Sequence, residues 1–314
     1  MRRIIVIIIV LISTSLFFSF CTGEKNAVDN LPEGVQAISV LGDTLYTPVF
    51  SETNRQNLQK NLAEAQTAYE KNQNDADAII WLGRRTAYLG EYRKALNIYS
   101  KAIKLHPDDA RMYRHRGHRY ITTRQFDKAI TDFEYAAKLI QNTSDQVEPD
   151  GAPNARNIPT STLQSNIWYH LGLAYYLQGE FGNALEAYKE CMKVSNNPDM
   201  QVATSHWLYM TLMRLGKTKE AEQVLVPIKR NMDIIENSSY FKLLLMYKGE
   251  LDVESLQSEG HVTLDDATTG YGLGNWYYYN DRKEDAKQIF QRIVAGDQWA
   301  SFGYIAAEAE LSRM

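Results

Sequence analysis

The chain has 314 residues, of which 44% are hydrophobic and 23% charged, and it carries a formal net charge of -4. That is material for one large or two ordinary cores, and the mildly acidic balance removes any global electrostatic reason to expect a nucleic-acid partner. Tyrosine is the outlier, with 20 copies against 10 Phe and 5 Trp; its flat apolar ring and polar tip suit half-exposed helix packing and binding surfaces.

Arg2 and Arg3 precede an uncharged apolar run over residues 4–20, and Cys21-Thr22-Gly23 follow. A short basic head with an apolar stretch of this length reads as a secretory signal over residues 1–21. The cysteine at its end resembles a bacterial lipoprotein signal, in which that residue, here Cys21, becomes the lipidated start of the mature protein. Phe20 stands where such signals carry Gly, Ala or Ser, so an uncleaved N-terminal anchor is the competing reading. Both readings export the rest of the chain and anchor it in the bacterial envelope, facing the periplasm or the cell surface. A lipidated Cys21 leaves Cys191 alone, with no internal disulfide.

Residues 22–50 read as a linker or a small hairpin, since short alternating stretches flank Gly42-Asp43. From 52 to 71, Leu58, Leu62, Ala65, Ala68 and Tyr69 recur at helical spacing and predict a helix that packs under the first repeat.

From there one spacing recurs. Gly83 is followed by Ala95, Tyr99 and Ala102; Gly117 by Ala129, Phe133 and Ala136; Gly172 by Ala184, Tyr188 and Cys191; Gly274 by Ala286, Phe290 and Ile293. A weaker copy has Tyr209 in the glycine slot, with Ala221, Leu225 and Ile228. The glycine and first alanine predict two antiparallel helices that cross closely, and the aromatic predicts a filler for the seam between pairs. Gly90, Gly179 and Gly216 sit where a left-handed residue would end the first helix of a pair. Residues 141–164, with Pro149, Gly151, Pro153 and Pro159, read as an insertion loop. The stretches 240–247 and 299–313 predict further helices, the last as a cap.

These slots resemble the tetratricopeptide (TPR) repeat family over roughly residues 76–230 and 265–295. The second copy departs from the pattern with Arg116 where leucine is usual, and the fourth lacks its glycine. The resemblance implies an all-α fold over residues 51–314, a right-handed superhelical solenoid of antiparallel helix pairs. It also implies that the first helix of each pair lines a concave groove. The inward slots hold Arg84 and Tyr88, then Arg111, Arg114 and His118, then Asn166, Tyr169 and Tyr176, then His206 and Arg214, and finally Tyr271, Asn275 and Tyr278. Such a groove is basic at one end and aromatic at the other. Arginine forks suit carboxylates or phosphates; the alternative is that these arginines only solvate helix faces. The Lys and Asn slots of the two-carboxylate clamp of chaperone-binding relatives are not reproduced, so an acidic peptide is allowed rather than implied.

Other patterns carry less. His115 and His118 share a helix face without a third ligand nearby, so no metal is predicted. Gly270-Tyr271-Gly272-Leu273-Gly274 lacks the strand a phosphate loop requires, and Cys191 fills a packing slot. No catalytic constellation or cofactor motif occurs. The expected function is therefore a non-catalytic scaffold that binds a peptide or partner protein in the concave groove. The alternative is a small-molecule or glycan-binding module using the same Arg and Tyr side chains. The insertion could fold over the groove and add Arg156 to its basic end, or act as a spacer.

Overall fold

The computed structural model describes residues 31–256 and 263–314. The expected signal over residues 1–21, with Cys21, lies outside the described residues. The described chain is a succession of thirteen α-helices with one two-stranded hairpin, and no helix in it is long and apolar enough to cross a membrane.

The hairpin pairs β1 (Val35–Ile38) antiparallel with β2 (Thr44–Tyr46). Val35, Ala37 and Leu45 are buried, and Arg93 donates to the carbonyls of Leu31, Pro32 and Val35, tying this segment to the array. Helix α1 (Glu52–Lys71) packs on the first of five pairs. The pairs are α2/α3 (Ala76–Tyr88, Tyr92–Leu105), α4/α5 (Ala110–Thr122, Phe126–Leu139), α6/α7 (Leu163–Gln178, Phe181–Val194), α8/α9 (Pro198–Arg214, Thr218–Leu225) and α11/α12 (Leu264–Tyr279, Lys283–Val294). Between the last two lies α10 (Ser238–Tyr247), and α13 (Phe302–Leu311) ends the chain. The result is an all-α solenoid of antiparallel helix pairs.

Local chemistry explains the alternation. Each first helix starts on a side-chain cap, from Asp75, Asp109, Thr162, Asn197 and Thr263 in turn, which satisfies an otherwise orphaned N–H. No second helix has such a cap. All five turns instead share one backbone bond across a left-handed residue, as in Glu180 N to Tyr175 O at 2.9 Å, which stops one helix and aims the next. Three pairs place glycine at that residue; Arg124 (φ 61°) and Asp281 (φ 60°) hold it in the other two.

The recurrent glycines have a sharper reason than close crossing with the alanines. A methyl group on Gly83, Gly117, Gly172 or Gly274 would lie 2.4–2.9 Å from the ring of Tyr99, Phe133, Tyr188 or Phe290 of the same pair. The aromatic thus lies across its own pair's glycine. In the fourth pair both slots change together, to Tyr209 and Leu225, and the Tyr209 ring stacks 4.6 Å from Tyr247 of α10.

The largest departure from expectation is at the end of the chain. Besides packing on the last pair, as expected of a cap, α13 lies inside the array's curve, and every residue from 303 to 310 is buried. It touches the inner faces of four first helices: Phe302 meets His118 and His170, Glu308 meets Arg124, and Glu310 meets Arg214 and Tyr271. Gly303 makes this approach possible, since a methyl there would lie 2.3 Å from the Ala267 carbonyl oxygen of α11.

Candidate functional site

The concave face is built from the inner sides of α2, α4, α6, α8 and α11, and two parts of the same chain cover it. One is α13. The other is the insertion, whose stems pair across a Val147–Thr162 bridge, with Glu148 N donating to Ser161 O and Leu163 N to Gln146 O. This brief ladder sends the segment 148–160 across the face.

The basic end of the groove closes on that segment. The Glu148 carboxylate accepts from Asn166 Nδ2 at 3.2 Å, and Arg114 Nε lies 2.9 Å from its Oε2. The Arg114 N–H does not point at that oxygen, so the contact is an ion pair rather than a hydrogen bond. Arg84 donates to the carbonyl of Pro149 at 2.7 Å, and Arg85 to that of Gly151 at the same distance. Tyr88 lies so close to Gly151 that a side chain there would have to displace the Tyr88 ring. Arg84 also lies 4.4 Å from the centre of the Trp81 ring. The site therefore grips an extended acidic strand by one carboxylate and two backbone carbonyls. A cavity of about 250 Å³ remains beneath the strand, lined in part by Trp81, Arg84, Arg111, His115 and Glu148.

Beyond Gly151 the insertion docks on the far wall. Asn154 and Thr160 donate to Glu236, and Arg156 forms a two-pronged pair with Asp233. That wall is held by buried Asp199, whose carboxylate accepts the backbone N–H groups of Ile235, Glu236 and Asn237. The insertion does cross the groove, but Arg156 goes to the opposite side from the basic end.

The remaining expected groove residues divide. Arg111 sits at the rim, a third exposed, holding Asp109 and Asp77. His118 lies deeper, its ring 4.6 Å from that of His170. Tyr169 is buried, with its hydroxyl 3.3 Å from that of Tyr240. Tyr176 is also buried, and its oxygen accepts from Tyr271 and Asn275. His206 is wholly buried, stacked 4.6 Å from Tyr240, and its ring nitrogens have no hydrogen-bond partner. Burial pushes the His206 imidazole down to about 3 and pushes His115, His118 and His170 well below the ordinary histidine range. All four are thus neutral near pH 7; His115, His170 and His206 are buried, and His118 is half-buried at the edge of a surface pocket. The aromatic end of the groove is largely packed, with hydroxyl pairs between Tyr169 and Tyr240 and between Tyr271 and Tyr176.

Sequence reading missed three residues here. Glu148 was hidden because an acid in a loop ordinarily faces water. Arg85 lies one position past an inward slot, and Arg119 two positions past the repeat glycine. Arg119 rests its guanidinium 5.4 Å from the centre of the Tyr92 ring and pairs with no carboxylate among the described residues. A run of five arginines between 111 and 124 was the available signal. Among the described residues no cluster of metal-ligating side chains occurs.

Comparison with known proteins agrees with this architecture. Family models described as tetratricopeptide repeat match residues 82–146, 165–198 and 269–295. The chain is 30% identical over 105 residues to tetratricopeptide repeat protein 13 of Homo sapiens, covering 33% of this chain and 10% of that protein. It is 27% identical over 137 residues to the BBSome complex member BBS4 of Bos taurus, covering 44% and 22% respectively. The matches thus span between a tenth and a quarter of these relatives. Similar solved structures include YrrB, described as a TPR protein with an unusual peptide-binding site, at 18% identity and a TM-score of 0.42 over 74% of this chain and 91% of that one. A putative kinesin light chain of Podosopora anserina with TPR-like repeats is 15% identical, with a TM-score of 0.42 over 76% and 96%.

Proposed function

We propose that this chain, three stretches of which match tetratricopeptide-repeat models, is a non-catalytic protein-interaction scaffold of the bacterial cell envelope whose concave face takes an acidic, extended peptide segment. The observation that carries this reading is the clasp on Glu148-Pro149-Asp150-Gly151. Arg114 and Asn166 hold a carboxylate while Arg84 and Arg85 hold main-chain carbonyls. Main-chain carbonyls are common to any peptide, and the carboxylate adds selectivity. In this reading the chain's own strand occupies the site, and a partner strand enters by replacing it. Arg119, with no carboxylate partner among the described residues, is a cation that a longer acidic segment engages. Nothing in the packed tyrosine end supports a sugar-stacking platform.

The test is binding in trans of a synthetic peptide copying residues 145–152, followed by fluorescence anisotropy. The Glu148→Ala chain binds this peptide more tightly than the native chain, and adding Arg84→Ala and Arg114→Ala removes the binding. No binding to a folded Glu148→Ala chain refutes the reading. Tethering through the N-terminal segment rests on Arg2, Arg3, the apolar run and Cys21; labelled fatty acid incorporation lost in Cys21→Ser tests it separately.

A further inference from the structure

Helices α1 and α3 both pack on α2 and leave an open trough between them, with a volume of about 1140 Å³. Its apolar lining includes Leu62 and Tyr69 of α1, Ile79 and Leu82 of α2, and Ile98 and Leu105 of α3. Leu105 is 53% exposed, and Tyr69 and Ile98 are the partly covered edge of a core cluster that reaches the surface here. Ile79 and Leu82 lie on the side of α2 away from Arg84 and Tyr88, so this surface is separate from the clasp those two residues form on the concave face.

We propose that this trough docks an amphipathic helix of a partner protein, antiparallel to α1 and α3, with acidic residues in its first turn. Three observations select that occupant. The volume exceeds the roughly 300–1,000 Å³ of ordinary small-molecule pockets, and the trough runs along helices of 20 and 14 residues. The apolar lining alternates with polar side chains such as Gln59, Gln66 and Asn97, and a helix, whose backbone hydrogen bonds are satisfied internally, can lay an apolar stripe on the one and polar edges on the other. Charge then sets the direction. At the end where α1 and α3 begin, the cations are already answered: Arg55 pairs with Glu52 at 2.8 Å and Lys94 with Glu91 at 3.2 Å. Toward the other end Lys101 lines the trough with no carboxylate partner among the described residues. The C-terminal ends of α1 and α3, with their partial negative charge, lie at that same end. A helix entering antiparallel brings its positive N-terminus to those ends, and an acid in its first turn reaches Lys101.

The probe is a synthetic 14-residue helical peptide, the length of α3, with leucines at i, i+3, i+4 and i+7 and glutamates in its first turn. A second peptide carries lysines in place of the glutamates. With the full chain, the acidic peptide binds about tenfold more tightly than the basic one. Lys101→Glu reverses that preference, and Leu105→Glu, at an exposed site that leaves the fold intact, weakens both. The proposal is overturned if neither peptide binds, or if Lys101→Glu leaves their ratio unchanged. It is equally overturned if the native chain self-associates through this face, seen as a dimer in sedimentation that Leu105→Glu dissolves, because the occupant is then a second copy.

Discussion

Arg124 and Glu308, 184 positions apart, form a two-pronged ion pair in which Nε and Nη2 each donate at 2.9 Å and the two side chains are 3% and 1% exposed. Arg124 also donates to the carbonyls of Thr122 and Trp299. It sits in the left-handed turn slot that glycine fills in three other pairs, a backbone conformation that costs a non-glycine residue on the order of 1 kcal/mol. The guanidinium explains why an arginine stands there: it locks the second repeat to the inward-turned α13.

Breaking such a pair on one side strands a charge in the interior. Glu308→Leu should therefore destabilise by about 3–5 kcal/mol, whereas Arg124→Gly combined with Glu308→Leu should cost well under the sum of the single changes. Urea unfolding of the two singles and the double measures this; strict additivity would show that the charges are not coupled.

The repeat glycines should obey a compensation rule. Gly172→Ala puts a methyl 2.7 Å from the Tyr188 ring and should cost about 1–3 kcal/mol. In a chain already carrying Tyr188→Leu the same methyl should cost much less, as the Tyr209 and Leu225 slots of the fourth pair exemplify. Thermal melts of the four chains decide the point.

The insertion should release without unfolding the array. Any side chain at Gly151 collides with the Tyr88 hydroxyl, so Gly151→Val should lift the strand from α2. Trypsin should then cleave after Arg156 faster than in the native chain, while the helical circular dichroism stays the same. Unchanged cleavage would mean that the clasp does not depend on this contact.

Acid should destabilise the fold through its buried histidines. His206 titrates near 3 when folded against a reference value of 6.5, so between those values the unfolded chain holds one more proton and stability falls as pH falls. Its share of the slope is about 1.4 kcal/mol per pH unit near pH 5 and vanishes above the unfolded value. His206→Leu, whatever packing it loses, should flatten the stability-versus-pH line by about that amount, measured by urea unfolding at pH 5 and pH 7.

Much of this molecule could be read along the chain. The pairings of Gly83 with Tyr99 and Gly172 with Tyr188 span one repeat, and contacts that local leave a fixed spacing of small and large residues. The helices and their turns follow from that spacing, and the inward arginines Arg84 and Arg114 follow from the family resemblance that the spacing carries. The two occupants of the groove did not. Sequence marked residues 141–164 as a loop, but Glu148 became a ligand for Arg114 only because the short stem at Val147 and Thr162 points it back. The helix over 302–311 was expected, yet its place inside the curve was not, although an alanine-rich helix that buries Glu308 and Glu310 needs cations on its neighbours. Arg124, in a slot that favours glycine, was the one local hint.

Periodicity encodes each pair and its nearest neighbours, because a solenoid repeat packs mainly on the next. Where the ends meet depends on small rotations added over five pairs, and no short pattern records their sum. The sequence alone determined the repeat, and its resemblance to a known family pointed to the inward slots. Tertiary structure decided that the chain itself covers them, bringing Arg124 to Glu308 and Tyr176 to Tyr271 across the closed curve.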